Sequence, residues 1–184
     1  MDMATQSAAP RDIAAALERV EGVLRRRPES GLHDDAPAAV CWQGGTRMVA
    51  SHANGTRIAT DMPTELGGSG DQVTPGWLFR AGLASCAATS IALAAAARGV
   101  TLTLLEARVT SRSDARALLG LSEADGRPVD PAPSELRLSV RVAAAGLPDD
   151  ALRALVTLAV GRSPIPSVVP QALPLALHIA LGAA

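Results

Sequence analysis

With 184 residues, 48% of them hydrophobic and 19% charged, the chain is long enough to bury a core and suits a single domain. A formal net charge of -1 excludes a strongly basic nucleic-acid binder and an acidic tail, and 2% aromatic residues exclude platforms that stack bases or sugars. The two cysteines, Cys41 and Cys86, follow a start (MDMATQSAAPRD) that lacks the basic and apolar regions of a signal peptide, which predicts a reducing, cytoplasmic setting.

Residues 1–36 read as a helical extension. Asp12 can cap a helix whose apolar positions Ile13, Leu17, Val20 and Leu24 recur at helical spacing. Arg25, Arg26 and Arg27 suit the negative end of that helix dipole as a solvated terminus, and Pro28 ends it. Three short strands follow in AAVCWQ, TRMVAS and TRIATD, turned at Gly44-Gly45 and at Asn54-Gly55. The loop PTELGGSGDQVTP lacks the Lys-Ser/Thr of a phosphate loop and the order of a nucleophile elbow.

Pro75 then opens a helix that runs to about Arg98 and stops at Gly99. Its uncharged run Ala81–Ala97 is short and only weakly apolar for a bilayer span, so a helix covered on several sides by protein is expected. Alternation in LLEARVT and ELRLSVRV gives two more strands. They flank a long excursion that begins with a possible helical turn. Pro148 opens a second helix with Leu152, Leu155, Val156 and Ala159 on one face, which GRSPIPSVVPQ breaks with its prolines. LPLALHIAL closes the chain as an alternating strand through Leu175, Leu177, Ile179 and Leu181. The order α, βββ, α, ββ, α, β predicts an α+β fold.

From Trp42 to Leu181 the chain resembles the OsmC/Ohr family of thiol-dependent hydroperoxide reductases. PGWLFRAGLASC is similar to the family helix whose cysteine attacks the peroxide, and PTELGG resembles the loop before it. SRSDARALLGL looks like the Ser-x-x-Asp-x-Arg-x-Leu-Leu-Gly stretch of one branch, and RSPIPS falls where the family carries Cys-Pro-x-Ser. The resemblance implies an OsmC-like domain over 37–184. Its expected form is an intertwined homodimer with curved antiparallel sheets around a long central helix and active sites at the dimer interface. It implies Cys86 as the attacking thiol and Arg47 as the arginine that holds the thiolate, with Arg57 as the fallback. Two family features depart here: the resolving cysteine is Ser163, and the motif glutamate is Gly76.

A cation beside Cys86 matters because a free thiol with a pKa near 8.5 is only a few per cent thiolate at neutral pH. Cys86 lies eleven residues beyond Pro75, too far for the helix dipole to assist. A guanidinium within about 4–6 Å shifts an acidic group by about 1–3 units. Arg80 is turned about 120° from Cys86 on the same helix, so the cation must come from elsewhere. Cys41 is read as packing beside Trp42, with a substitute resolving thiol as the alternative. Trp77 and Phe79 pack, or wall an apolar substrate pocket with Ser163; Glu65 is a loop residue or a stand-in for the missing carboxylate. His33, His52 and His178 share no metal-ligand spacing, so neither a metal nor a cofactor is expected.

Two functions follow. One is reduction of a small organic hydroperoxide by Cys86, with an external thiol as resolver. The other is a non-catalytic homodimer that holds a small apolar ligand at its interface. Neither calls for a nucleic acid or a membrane.

Overall fold

The computed structural model describes residues 10–171 and 175–180. Its centre is the helix α2, Pro75–Ala96. Thr74 caps it, its hydroxyl accepting from Trp77 N at 3.2 Å, and Pro75 occupies the first turn, where no amide hydrogen is needed. Gly99, with φ of 66°, reverses the chain so that Val100 N donates to Ala95 O at 2.9 Å. Both ends lie where the sequence puts them.

By length and composition α2 could cross a bilayer, further than its uncharged run suggests. Four elements of the chain pack on it, β4 (Leu102–Arg112), α4 (Asp149–Gly161), α5 (Pro164–Gln171) and α1 (Pro10–Arg26), while Trp77, Phe79 and Leu93 stay exposed. Alanines on α2 let these elements come close. Ile91, Ala95, Leu155 and Ala159 form the buried centre, with Leu105 and Val140 packed against it. Ile91 is fully buried, so removing its side chain to Cβ should cost about 2–5 kcal/mol.

β4 pairs antiparallel with β5 (Ser134–Ala144), matching Leu105 with Val142, Ala107 with Val140 and Val109 with Leu138. This is the face that alternation predicts. Between them lies the excursion, which begins with the single helical turn α3 (Ala115–Leu118) capped by Asp114. A separate antiparallel sheet contains β1 (Ala39–Trp42), β2 (Met48–Ser51) and β3 (Arg57–Thr60). Its strands contact one another more extensively than they contact any helix. The architecture is α+β, two antiparallel sheets and a long helix.

Three expectations change. α1 begins at Pro10, which places Asp12 inside its first turn rather than at its cap. GRSPIPSVVPQ ends α4 but then forms α5, because Pro164 and Pro166 sit in a first turn whose amide hydrogens have no helical acceptor anyway. Residues 175–180 form no strand. Leu175, Leu177 and Ile179 are exposed, and neither sheet pairs with this stretch. Leu181 lies outside the described residues.

Candidate active site

Leu83, Cys86 and Ser90 share one stripe of α2, three and four residues apart. The corner between α4 and α5 delivers Ser163 to that stripe. Ser163 is fully buried, and its Oγ lies 3.2 Å from Cys86 Sγ and 2.9 Å from Ser90 Oγ. The corner is itself tied down: Ser163 O accepts from Ser167 N at 3.1 Å and from Ser167 Oγ at 2.8 Å. A thiol and two hydroxyls therefore stand in line in a half-buried, uncharged setting.

A cavity of about 220 Å³ is lined by Leu83, one helical turn before Cys86, and by Leu136, Leu138, Val160, Pro166 and Val169 among others. These groups are all aliphatic. Neither Trp77 nor Phe79 lines the cavity; both are exposed on the N-terminal half of α2. Arg80 turns toward β4, where its Nη1 donates to Ser111 Oγ at 3.3 Å.

Arg47, in the turn between β1 and β2, joins a second cluster built on the loop after β3. Asp61 is almost fully buried there. Its carboxylate accepts from Thr46 Oγ1 at 2.5 Å, Ser69 Oγ at 2.6 Å, Met62 N at 2.8 Å, Ser69 N at 3.2 Å and Arg47 Nη2 at 3.2 Å. Arg47 Nη2 also bonds Ser69 Oγ at 2.7 Å and pairs with Asp71. These donors, Ser69 first and then Thr46, hold the Asp61 carboxyl far below the usual carboxylate range. Asp71 is lowered mainly by Ser69 as well, and the bond to Asp61 raises Arg47. Gly68 makes the loop possible: a Cβ there would stand 1.8 Å from Met62 O.

Among the described residues no hydrogen bond joins Arg47 to Cys86. Arg57, the fallback, is exposed on β3. Glu65 is exposed too, and its Oε2 accepts from Thr64 Oγ1 at 3.3 Å. Cys41 is exposed on β1 opposite Val49. Among the described residues no group of three His, Cys, Asp or Glu is placed to hold a metal ion. Sequence reasoning missed Ser90, Asp61, Ser69 and Asp71. Ser90 had a readable signal, since it is a hydroxyl one turn beyond Cys86 on the same face.

The sequence profile of the OsmC-like protein family matches residues 68–178, more than half of the chain. The chain belongs to the OsmC-like family. None of the curated proteins matches it. Among solved structures, the OsmC-like protein of Mycoplasma pneumoniae superposes with a TM-score of 0.62 at 16% identity, covering 76% of this chain and 89% of that one. An organic hydroperoxide resistance protein OsmC of Legionella pneumophila gives 0.51 at 23% identity, covering 75% and 90%. An organic hydroperoxide resistance protein of Elizabethkingia anophelis gives 0.50 at 18% identity, covering 75% and 89%. At these identities the three likenesses establish the OsmC-like fold. The region matched by the family profile contains Cys86 and Ser163 but neither Arg47 nor α1.

Proposed function

We propose that this OsmC-like protein reduces organic hydroperoxides through Cys86. The observation that carries the reading is the seating of the family-motif thiol: half-buried, one helical turn from the Leu83 that lines an aliphatic cavity, with a hydroxyl 3.2 Å from its sulfur. In the step proposed, the Cys86 thiolate attacks the terminal peroxide oxygen. An S–O bond forms as the O–O bond breaks, the sulfur is oxidised to a sulfenic acid, and the organic alkoxide leaves with a proton as the alcohol.

Ser163 cannot resolve that sulfenic acid, because a hydroxyl forms no disulfide. An external thiol condenses with it, releasing water, and a second thiol frees Cys86 from the mixed disulfide. The cytoplasm is the compartment that supplies such thiols. The apolar cavity suits the organic part of the peroxide. Arg47 keeps its place in this reading through the family resemblance alone, since within one chain its Nη2 is engaged by Asp61, Ser69 and Asp71.

We place the protein as a homodimer. The exposed, alternating Leu175, Leu177 and Ile179 and the three-stranded sheet, whose strands contact one another more than any helix, are surfaces that a second copy would cover. Sedimentation at micromolar concentration should give twice the 18.7 kDa chain mass, and a monomer would remove this part of the reading.

The deciding experiment is peroxide-dependent consumption of a dithiol by purified protein, one dithiol per organic hydroperoxide. Absence of consumption, with Cys86 left unmodified, would favour the second reading, a non-catalytic protein that keeps a small apolar ligand in the pocket. Two features support that alternative: Ser163 stands at the position of the resolving thiol, and Gly76 at that of the motif carboxylate.

A further inference from the structure

We propose that Arg80 and Ser111 form a carboxylate-holding subsite at one end of the aliphatic cavity, so that the ligand of this cavity is a short aliphatic carboxylate. The proposal rests on the reading of the cavity as the seat of an organic ligand, whether or not Cys86 turns that ligand over.

The guanidinium and the cavity share neighbours on two elements. On α2, Arg80 stands one turn before Leu83, which lines the cavity. On the sheet, the half-buried positions of β4 and β5 alternate with exposed ones, and Ser111 belongs to the half-buried set. Thr110 lies opposite Arg137 and Arg112 opposite Ser134, which sets Ser111 beside Leu136, a second lining residue from the same half-buried set. Arg80 Nη1 donates to Ser111 Oγ at 3.3 Å and so joins the two neighbours. The aliphatic walls end at a cation.

That cation has no counter-charge in the chain. Among the described residues none of the ion pairs includes Arg80. Glu135, next to Leu136 on β5, is held by Arg112 at 3.0 Å. Gly76 keeps the place open: a Cβ there would stand 3.6 Å from Arg80 Nη1, so an acidic side chain at this position would meet the guanidinium. Arg80 is half-buried, and a partly desolvated guanidinium is best satisfied by a carboxylate, which its planar fork fits. Ser111 Oγ accepts from Arg80, which leaves its own proton to donate to the same anion. The cavity of about 220 Å³, walled by Leu83, Leu136, Leu138 and Val160, has room for a short alkyl chain. An inorganic anion would leave those walls unused, and a neutral apolar molecule would leave the guanidinium unpaired. An aliphatic carboxylate uses both.

Calorimetric titration of the full chain with octanoate, octanol and acetate tests the subsite. Octanoate should bind at least about tenfold more tightly than octanol, which lacks the charge, and than acetate, which lacks the chain. Arg80→Gln should bring octanoate to the affinity of octanol and leave octanol where it was. Gly76→Glu should do the same by pairing the guanidinium within the helix, and it decides the matter if Arg80→Gln fails to fold. Equal binding of octanoate and octanol, no binding of octanoate, or an octanoate affinity unmoved by both variants would overturn the proposal. Dithiol consumption by the parent protein tests peroxide reduction separately. Octanoate binding without consumption would keep the subsite and remove the reduction, and consumption without a preference for octanoate would do the reverse.

Discussion

The molecule has two polar clusters, and they are built on opposite plans. Around Asp61 a loop gathers one guanidinium, two carboxylates and two hydroxyls, so that every buried charge has partners. Around Cys86 the helical core gathers a thiol and two hydroxyls with no charge at all. The first plan satisfies its members in a single protonation state and thereby fixes the shape of a loop. The second sets a half-buried sulfur in a row of neutral hydroxyls at the corner between α4 and α5. Charge pairing marks the structural cluster, and a half-buried nucleophile marks the chemical one.

The sharpest way to break this comparison is Cys86→Ser. Dithiol consumption should fall to the uncatalysed rate while thermal unfolding stays close to that of the parent, because the replacement is nearly isosteric and the hydroxyl row persists. Retained consumption would transfer the chemistry to Cys41.

Ser163→Cys comes next. The introduced sulfur would stand about where an oxygen now lies 3.2 Å from Cys86 Sγ, so a small rotation should bring the two within bonding range. One equivalent of organic hydroperoxide should then yield a disulfide with Cys86. The parent chain should instead give a sulfenic acid that a dimedone-type reagent traps, and a sulfinic acid under excess peroxide. Mass spectrometry separates these products, and a Cys41–Cys86 disulfide in the parent would refute the external resolver.

Smaller effects are expected at the loop. Asp61→Asn should lower Tm by several degrees at pH 7, since Arg47 loses its buried counter-charge. The sign with pH follows from the depressed carboxyl. Its contribution is complete above the ordinary Asp value near 4 and is lost as pH falls below it toward the folded-state value. Scanning calorimetry should therefore find the gap between parent and variant closing below about pH 4. A gap that stayed constant into strong acid would show that Asp61 acts through packing rather than charge.

Asp71→Asn should have the smallest effect, about a degree or less, because Asp71 is exposed and its pairing with Arg47 is screened by water. A loss as large as that of Asp61→Asn would mean that the two carboxylates act as one unit.

Much of the fold was legible where local rules act alone. Thr74-Pro75 and Gly99 mark the ends of α2 because capping and positive φ are properties of a few adjacent residues. β4 and β5 declare themselves by alternation, since one face packs on α2. The α5 segment was misread because proline breaks a helix interior yet suits a first turn, and only the placement of the helix start distinguishes the two. Leu175, Leu177 and Ile179 carry a strand pattern, but a strand needs a neighbouring edge, which a pattern cannot supply.

The site shows the same boundary. Cys86 was readable from its motif, and Ser163 from its place in RSPIPS. Their contact spans 77 positions and depends on how α4 and α5 dock, so no spacing announces it. Ser90 lies in an alanine-rich helix outside every motif quoted from the sequence. Arg47 was visible as a residue, whereas its partners Asp61 and Asp71 lie on a loop whose path is set by a glycine pressed against Met62.

Along α2 the chemistry and the extension occupy separate stations. Leu17, Val20 and Leu24 of α1 face Leu93, Ala94 and Ala97 across a shallow apolar groove, at least seven residues beyond Cys86 and so about 10 Å down the axis. A substitution on α1 therefore alters a surface well removed from the sulfur, whose own neighbourhood is set by a few side chains of α2 and of the corner between α4 and α5. What variation at α1 would change is how greasy the far end of the rod looks to other molecules.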